Sequence, residues 1–187
     1  MNSVIVIIVV IAIAVAIALF IVAQFNRLRR LDVLSQGAWA GIDTLLAKRA
    51  DLVPNLVETV KGAADFERGT MEDVTNARAK AAGATTVAQT AAADGELTQA
   101  LGRLFAVAES YPQLTATAGF RDLQGQLTQV EGELQFARQY YNDSVVNLNT
   151  ALRTIPSMWF KGMAGVEERE MYAEPDAGRR AAPIVDF

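Results

Sequence analysis

Residues 4–23 read VIVIIVVIAIAVAIALFIVA, an apolar run that no charged side chain interrupts. At 1.5 Å per helical residue, roughly 20 residues cross the ~30 Å hydrocarbon core of a bilayer. No other stretch of the chain approaches that length of continuous hydrophobicity. Lipid offers the backbone no hydrogen-bond partners, so the segment is expected to be a helix despite its many β-branched residues. The chain then divides into an anchor over 1–25, a soluble domain over 26–165 and a C-terminal tail over 166–187.

A secretory signal peptide is the competing use of such a run. It needs a basic n-region, a shorter apolar core and a small-x-small cleavage site. Met1-Asn2-Ser3 carries no Lys or Arg, and Ile21-Val22-Ala23 is a poor cleavage site, so an uncleaved anchor is expected. Arg27, Arg29 and Arg30 follow the run while nothing basic precedes it. Basic residues beside a span favour the cytoplasmic side. The expected topology is a single pass through the inner membrane, with the N-terminus out and the bulk domain in the cytoplasm.

The chain has no Cys and no His. That excludes thiol nucleophiles, disulfides, imidazole acid–base chemistry and Cys/His metal sites. The net charge of −4 is mild and evenly spread, so no basic stripe is offered to nucleic acid. About 160 soluble residues are enough for one domain with a real core.

Periodicity sets the expected fold. Apolar positions run Phe120, Leu123, Leu127, Val130, Leu134, Ala137, Tyr141, Val145, Leu148, Leu152, Ile155, in alternating steps of three and four with one stutter after Tyr141. That is an a/d seam of coiled-coil type over about five heptads. Thr115 or Thr117 is placed to cap its start and Pro156 to end it. A helix of about 40 residues would be some 60 Å long.

The first soluble stretch continues the anchor. Leu31, Ile42 and Val53 recur every eleven residues, as do Leu34, Leu45 and Leu56, which suggests a straight or slightly right-handed stripe. Pro54 interrupts it: either the helix kinks there, or Asp51 caps a new helix with Pro54 in its first turn. The pattern then runs through Val57, Val60, Ala64, Met71 and Val74 to about Ala82, with Gly83 as the stop, weakened by Gly62 and Gly69. A third element is expected over 86–110, patterned in its second half by Leu97, Leu101, Leu104, Phe105 and Ala108, and ended by Tyr111-Pro112. After Gly165 the periodicity fades; Glu167 to Met171 is expected to form a turn or two of helix before an extended end. No strand or hairpin signal lies outside the membrane segment. The fold class is all-α: a transmembrane helix followed by an antiparallel bundle of long helices, four of them, or three if Pro54 only kinks the first.

The motif Asp51-Leu52-Val53-Pro54-Asn55-Leu56-Val57-Glu58-Thr59-Val60-Lys61-Gly62 resembles the signature of the LemA family. So do Leu101-Gly102-Arg103-Leu104-Phe105-Ala106-Val107, Glu109-x-Tyr111-Pro112, Ala137-Arg138-Gln139-Tyr140-Tyr141-Asn142-Asp143 and the closing Ala182-Pro183-Ile184-Val185-Asp186-Phe187. The resemblance covers nearly the whole chain in order. It implies a bacterial membrane protein with a short outer N-terminus and a cytoplasmic helical bundle, no established enzymatic activity, and some relatives that take part in organelle-membrane formation.

Each motif also has a plain structural use. Asp51, Pro54 and Asn55 read first as a helix start or kink, and only second as a docking surface. Tyr141 belongs to the seam. Glu131 and Arg138 lie seven residues apart on one helix and read as a solvated or interhelical pair. Asp65, Glu67, Glu72 and Asp73 lack a turn that would gather oxygen ligands around a cation. No GxGxxG, no P-loop and no serine with a base is present, so no catalytic, cofactor-binding or metal-binding residue is assigned and no cofactor is expected.

Ser157-Met158-Trp159-Phe160-Lys161-Gly162-Met163 concentrates aromatic and Met residues beside a Lys. With four helices the segment returns to the membrane end, where Trp159 would join the headgroup belt; with three it lies at the far tip. Three function classes remain: a self-associating membrane scaffold, an adaptor or sensor using the surface around 62–96, and an enzyme working with carboxylates and Arg only. The first is expected, with membrane lipid and further copies of the chain as partners, an unidentified protein partner as the alternative, and no nucleic acid.

Overall fold

The computed structural model describes residues 2–61 and 68–173. Helix α1 runs Asn2–Lys61, α2 Arg68–Gly83, α3 Val87–Ala108, α4 Pro112–Thr115 and α5 Ala118–Arg153; a 3-10 turn at Ser157–Phe160 leads into the single turn α6, Lys161–Ala164. The described residues contain no strand. The chain divides into two compact units, Met1–Trp39 with Tyr141–Arg169, and Ala40–Tyr140 with Glu170–Phe187.

Helix starts follow local chemistry. The Thr86 side chain accepts a hydrogen bond from the Gln89 N–H at 3.2 Å and caps α3. Of the two threonines proposed for α5, Thr117 is the one that caps it, accepting from the Phe120 N–H at 3.3 Å. Pro112 opens α4 at a position where its missing N–H costs nothing. Gly83 ends α2 as expected, though without a left-handed backbone; among the described residues only Gly165 has one, at φ 60°, where it closes α6.

The α5 seam is the inner face of the helix. Phe120, Leu127, Val130, Leu134, Tyr141, Val145, Leu148 and Leu152 are all buried. Ile155 departs from the pattern: α5 ends at Arg153, and Ile155 stands 67% exposed.

Pro54 neither breaks nor restarts the helix. The expected split there is corrected: α1 passes through Pro54 without interruption, and Asp51 is an exposed residue within it. A proline lacks the N–H that would bond the carbonyl four residues back, and its ring pushes that carbonyl aside. The carbonyl is that of Ala50, and Arg78 Nε of α2 donates to it at 2.7 Å. The side chain of one helix thus satisfies the acceptor orphaned in another. Two expectations follow. Pro54→Ala should stabilise the chain by about 3 kcal/mol or less. Arg78→Met should cost about 1–2 kcal/mol in the native background and much less in Pro54→Ala, because the restored N–H takes over the carbonyl. A thermal double-mutant cycle measures this, and strictly additive losses would contradict it.

In the second unit α1, α2, α3 and α5 share one core, built around Val53, Leu56, Val74, Leu97, Leu104 and Phe120. Arg78 on Ala50, and Lys80 on Glu96 at 2.7 Å, show α2 running back along α1 and α3 antiparallel to α2. Phe105 meets Phe120 edge-on at 6.0 Å between ring centres. In the first unit α1 and α5 are antiparallel: Trp39 packs on Tyr141 at 5.3 Å, and Leu28 lies in a cluster with Leu148, Ala151, Leu152, Ala164 and Val166.

The segment after α6 is not helical. Glu167–Met171 was expected to form a turn or two; instead 166–173 carries no helix and is packed down by Val166 and Tyr172, both buried. Ala64 and the closing 182–187 motif lie outside the described residues.

Candidate functional site

The charged side chains with the lowest exposure gather in the second unit. Arg49 of α1 and Asp94 of α3 are 3% and 2% exposed. Arg49 Nη1 donates to Asp94 Oδ1 at 2.7 Å and Nη2 to Thr98 Oγ1 at 3.0 Å. Arg138 of α5 donates to the other Asp94 oxygen, and Tyr172 donates its hydroxyl to that same atom at 2.6 Å. Glu131 of α5 completes the set, accepting from Arg138 at 3.1 Å and lying 3.0 Å from Arg49 Nη1. Two guanidinium groups thus face two carboxylates, and the cluster carries no net charge.

That balance is what lets the charges be buried. An isolated ion inside a protein costs several kcal/mol, and only a partner with good geometry offsets it. Burial opposes the Arg138 charge, but Asp94, Glu131 and Tyr172 together outweigh burial and raise its pKa. Burial and the Asp94 charge push the Tyr172 phenol well above its ordinary range, so it stays protonated and acts as a donor. The Arg138 guanidinium also lies 5.5 Å from the Tyr172 ring centre, within cation–π range. Arg49 Nε and Arg138 Nε are buried without an acceptor. Each carboxylate is occupied by arginine, so the arrangement clamps α1, α3, α5 and the C-terminal segment rather than presenting a nucleophile.

A second polar set lies in the first unit. Asp32 of α1, buried, accepts from Arg169 Nη2 at 2.8 Å and from Gln36 at 3.0 Å. The Asn149 side chain brackets the Arg169 backbone, donating to its carbonyl at 2.9 Å and accepting its N–H at 3.0 Å. Arg153 pairs with Glu168, which holds that exposed carboxyl below its usual range.

The 157–163 segment lies against the anchor helix. Buried Ser157 donates to Gln24 at 3.0 Å and accepts from Arg27 at 3.3 Å, and Phe160 meets Phe20 edge-on at 6.2 Å. The far-tip placement tied to an unbroken α1 is thereby corrected. The helix is unbroken, yet the segment returns to the anchor because α2 already runs back along α1.

Two of the singled-out residues come together in the cluster, Glu131 and Arg138, which are half-buried and pair across helices with Arg49 and Asp94, the interhelical one of the two expected uses. Tyr141 is core and Tyr140 is exposed. Glu72 and Asp73 sit on the outside of α2, with Asp73 3.8 Å from Arg103; Asp65 and Glu67 lie outside the described residues. Sequence reasoning passed over Arg49, Asp94 and Tyr172. One signal was available for Arg49: it shares a heptad register with Leu28, Ser35, Ile42 and Leu56, all buried.

The profile of the LemA family matches residues 38–187. The magnetosome protein MamQ of Magnetospirillum gryphiswaldense, and MamQ 1 and MamQ 2 of Paramagnetospirillum magneticum, are each 29% identical over 86 residues, 46% of this chain. The match spans 32% of the length of those relatives.

Proposed function

The chain belongs to the LemA family, and from that premise we propose that it is a membrane-anchored, non-enzymatic helical scaffold that self-associates at the bacterial inner membrane and organises it. One helix among the described residues is long and apolar enough to cross a membrane, and its apolar window is wholly unburied. With relatives named for the magnetosome, this points to a membrane protein.

The observation that carries self-association is apolar surface left open away from the span. Phe136 and Tyr140, one turn apart on α5, are 78% and 59% exposed. Neighbouring exposed aromatic side chains of this kind are the sort of surface that partner contacts use. A second copy is the partner favoured, because confinement to one membrane raises the effective concentration of subunits. Ala12 and Ala16 add a small-xxx-small pair in the anchor that permits close helix approach. Cross-linking in native membranes tests the reading. Ala12→Ile with Ala16→Ile, and separately Phe136→Ser with Tyr140→Ser, should each reduce the cross-linked species. If neither pair of substitutions changes it, both surfaces are excluded.

The adaptor reading has one observation of its own: a 630 Å³ groove on the α2–α3 hairpin, lined by Asp73, Lys80, Glu96 and Arg103, presents charges of both signs. For topology, a reporter fused after Phe187 should be active only in the cytoplasm; a periplasmic signal would reverse the orientation.

A further inference from the structure

We infer that residues 155–163 form an interfacial foot that inserts into the headgroup region of the same bilayer the anchor crosses, with a preference for anionic lipid. The inference rests on the anchor part of the proposed function, and not on self-association.

Ser157 and, just past the segment, Ala164 are buried, and Phe160 packs inward. The other large apolar residues face away: Ile155, Trp159 and Met163 are 67%, 68% and 59% exposed, and Met158 is exposed beside them. Four large apolar side chains projecting from nine residues form the kind of continuous patch that water disfavours.

The depth of the patch is set by named contacts. Phe160 packs on Phe20, and Ser157 bonds Gln24 and Arg27. Phe20 lies three residues inside the end of the apolar run, about 4.5 Å along the helix, while Gln24 and Arg27 follow that end. The foot is therefore held at the boundary between hydrocarbon and headgroups, where Trp with its amphipathic ring is most favourable. Its occupant is lipid because α1 at this level is itself the span.

Charge around the foot matches an anionic surface. Lys161 is exposed on it, and Arg27 and Arg30 are exposed on α1 at the same end. Of the nearby acids, Asp32 is paired with Arg169, and exposed Glu168 is paired with Arg153 and also feels Lys161; Glu167 is exposed as well. Basic residues at this depth are drawn to anionic headgroups.

The test uses the full chain with Trp39→Phe, which leaves Trp159 as its only tryptophan, reconstituted in phosphatidylcholine–phosphatidylglycerol vesicles carrying brominated acyl chains. Flotation of the vesicles first reads the anchor. Trp159 emission should then be blue-shifted, quenched strongly by bromines near the headgroups and weakly by bromines near the bilayer centre. The blue shift should shrink as phosphatidylglycerol is removed. Water-like emission, quenched by aqueous iodide and untouched by the bromolipids, would overturn the foot while leaving the anchor intact. Blue-shifted emission that no bromolipid quenches would assign the patch to a second copy and also overturn it. Failure of the chain to float would remove both. Since the chain has no cysteine, Met163→Cys with a nitroxide label reads the same depth independently, should Trp39→Phe not fold.

Discussion

Asp94→Ala should lower the stability of the folded chain by about 3–5 kcal/mol, because it leaves two arginines facing one carboxylate in a buried site. Asp94 receives Arg49, Arg138 and the Tyr172 hydroxyl, so one truncation strips partners from α1, α5 and the C-terminal segment together. The loss should come from the stranded charge rather than from the missing bonds. Removing Arg49 as well, as Asp94→Leu with Arg49→Met, leaves Arg138 and Glu131 as a neutral pair and should recover most of the stability. Thermal unfolding of the full chain in mild detergent, followed by helical circular dichroism, measures both. A loss below about 0.5 kcal/mol for Asp94→Ala would mean that the cluster is not the clamp described.

Leu134→Ala and Leu148→Ala should each cost about 2–5 kcal/mol, the range for emptying a packed leucine site. Both side chains are 0% exposed. They stand fourteen residues apart on α5, about 21 Å along the helix, beyond the range over which substitutions usually couple. Leu148 belongs to the Leu28 cluster of the first unit, and Leu134 lies within the second. The double variant should therefore lose the sum of the two to within about 0.5 kcal/mol. Unchanged melting for both single variants would mean that the seam is not the core.

The α5 seam was legible because its buried positions are almost all apolar, so the alternation of three and four survives in the letters. The matching line on α1 was obscured by Ser35 and Arg49, two polar residues at buried positions of its register. Ser35 is satisfied locally by the Asp32 carbonyl three residues back, while Arg49 needs Asp94, 45 residues away. Pro54 misled for the same reason. Local rules for proline weigh the lost N–H but not Arg78, which arrives 24 residues later to replace it. Tyr172 and Val166 stand in a stretch with no period, so nothing local marks them as interior. A return of the 157–163 segment to the anchor helix was expected only with a break at Pro54, whereas α1 is unbroken there and α2 runs back along it. Periodicity reports which face of a helix is buried; it does not report which distant side chain completes a buried polar group.

The most direct measurement for a self-associating scaffold is the mass of the full-length chain, extracted together with its surrounding lipid into polymer-bounded discs without detergent. A discrete species of more than one copy that persists on dilution is expected if the span and the Phe136–Tyr140 surface are the self-association contacts proposed. A mass of one 20.2 kDa chain per disc at native expression levels would contradict it.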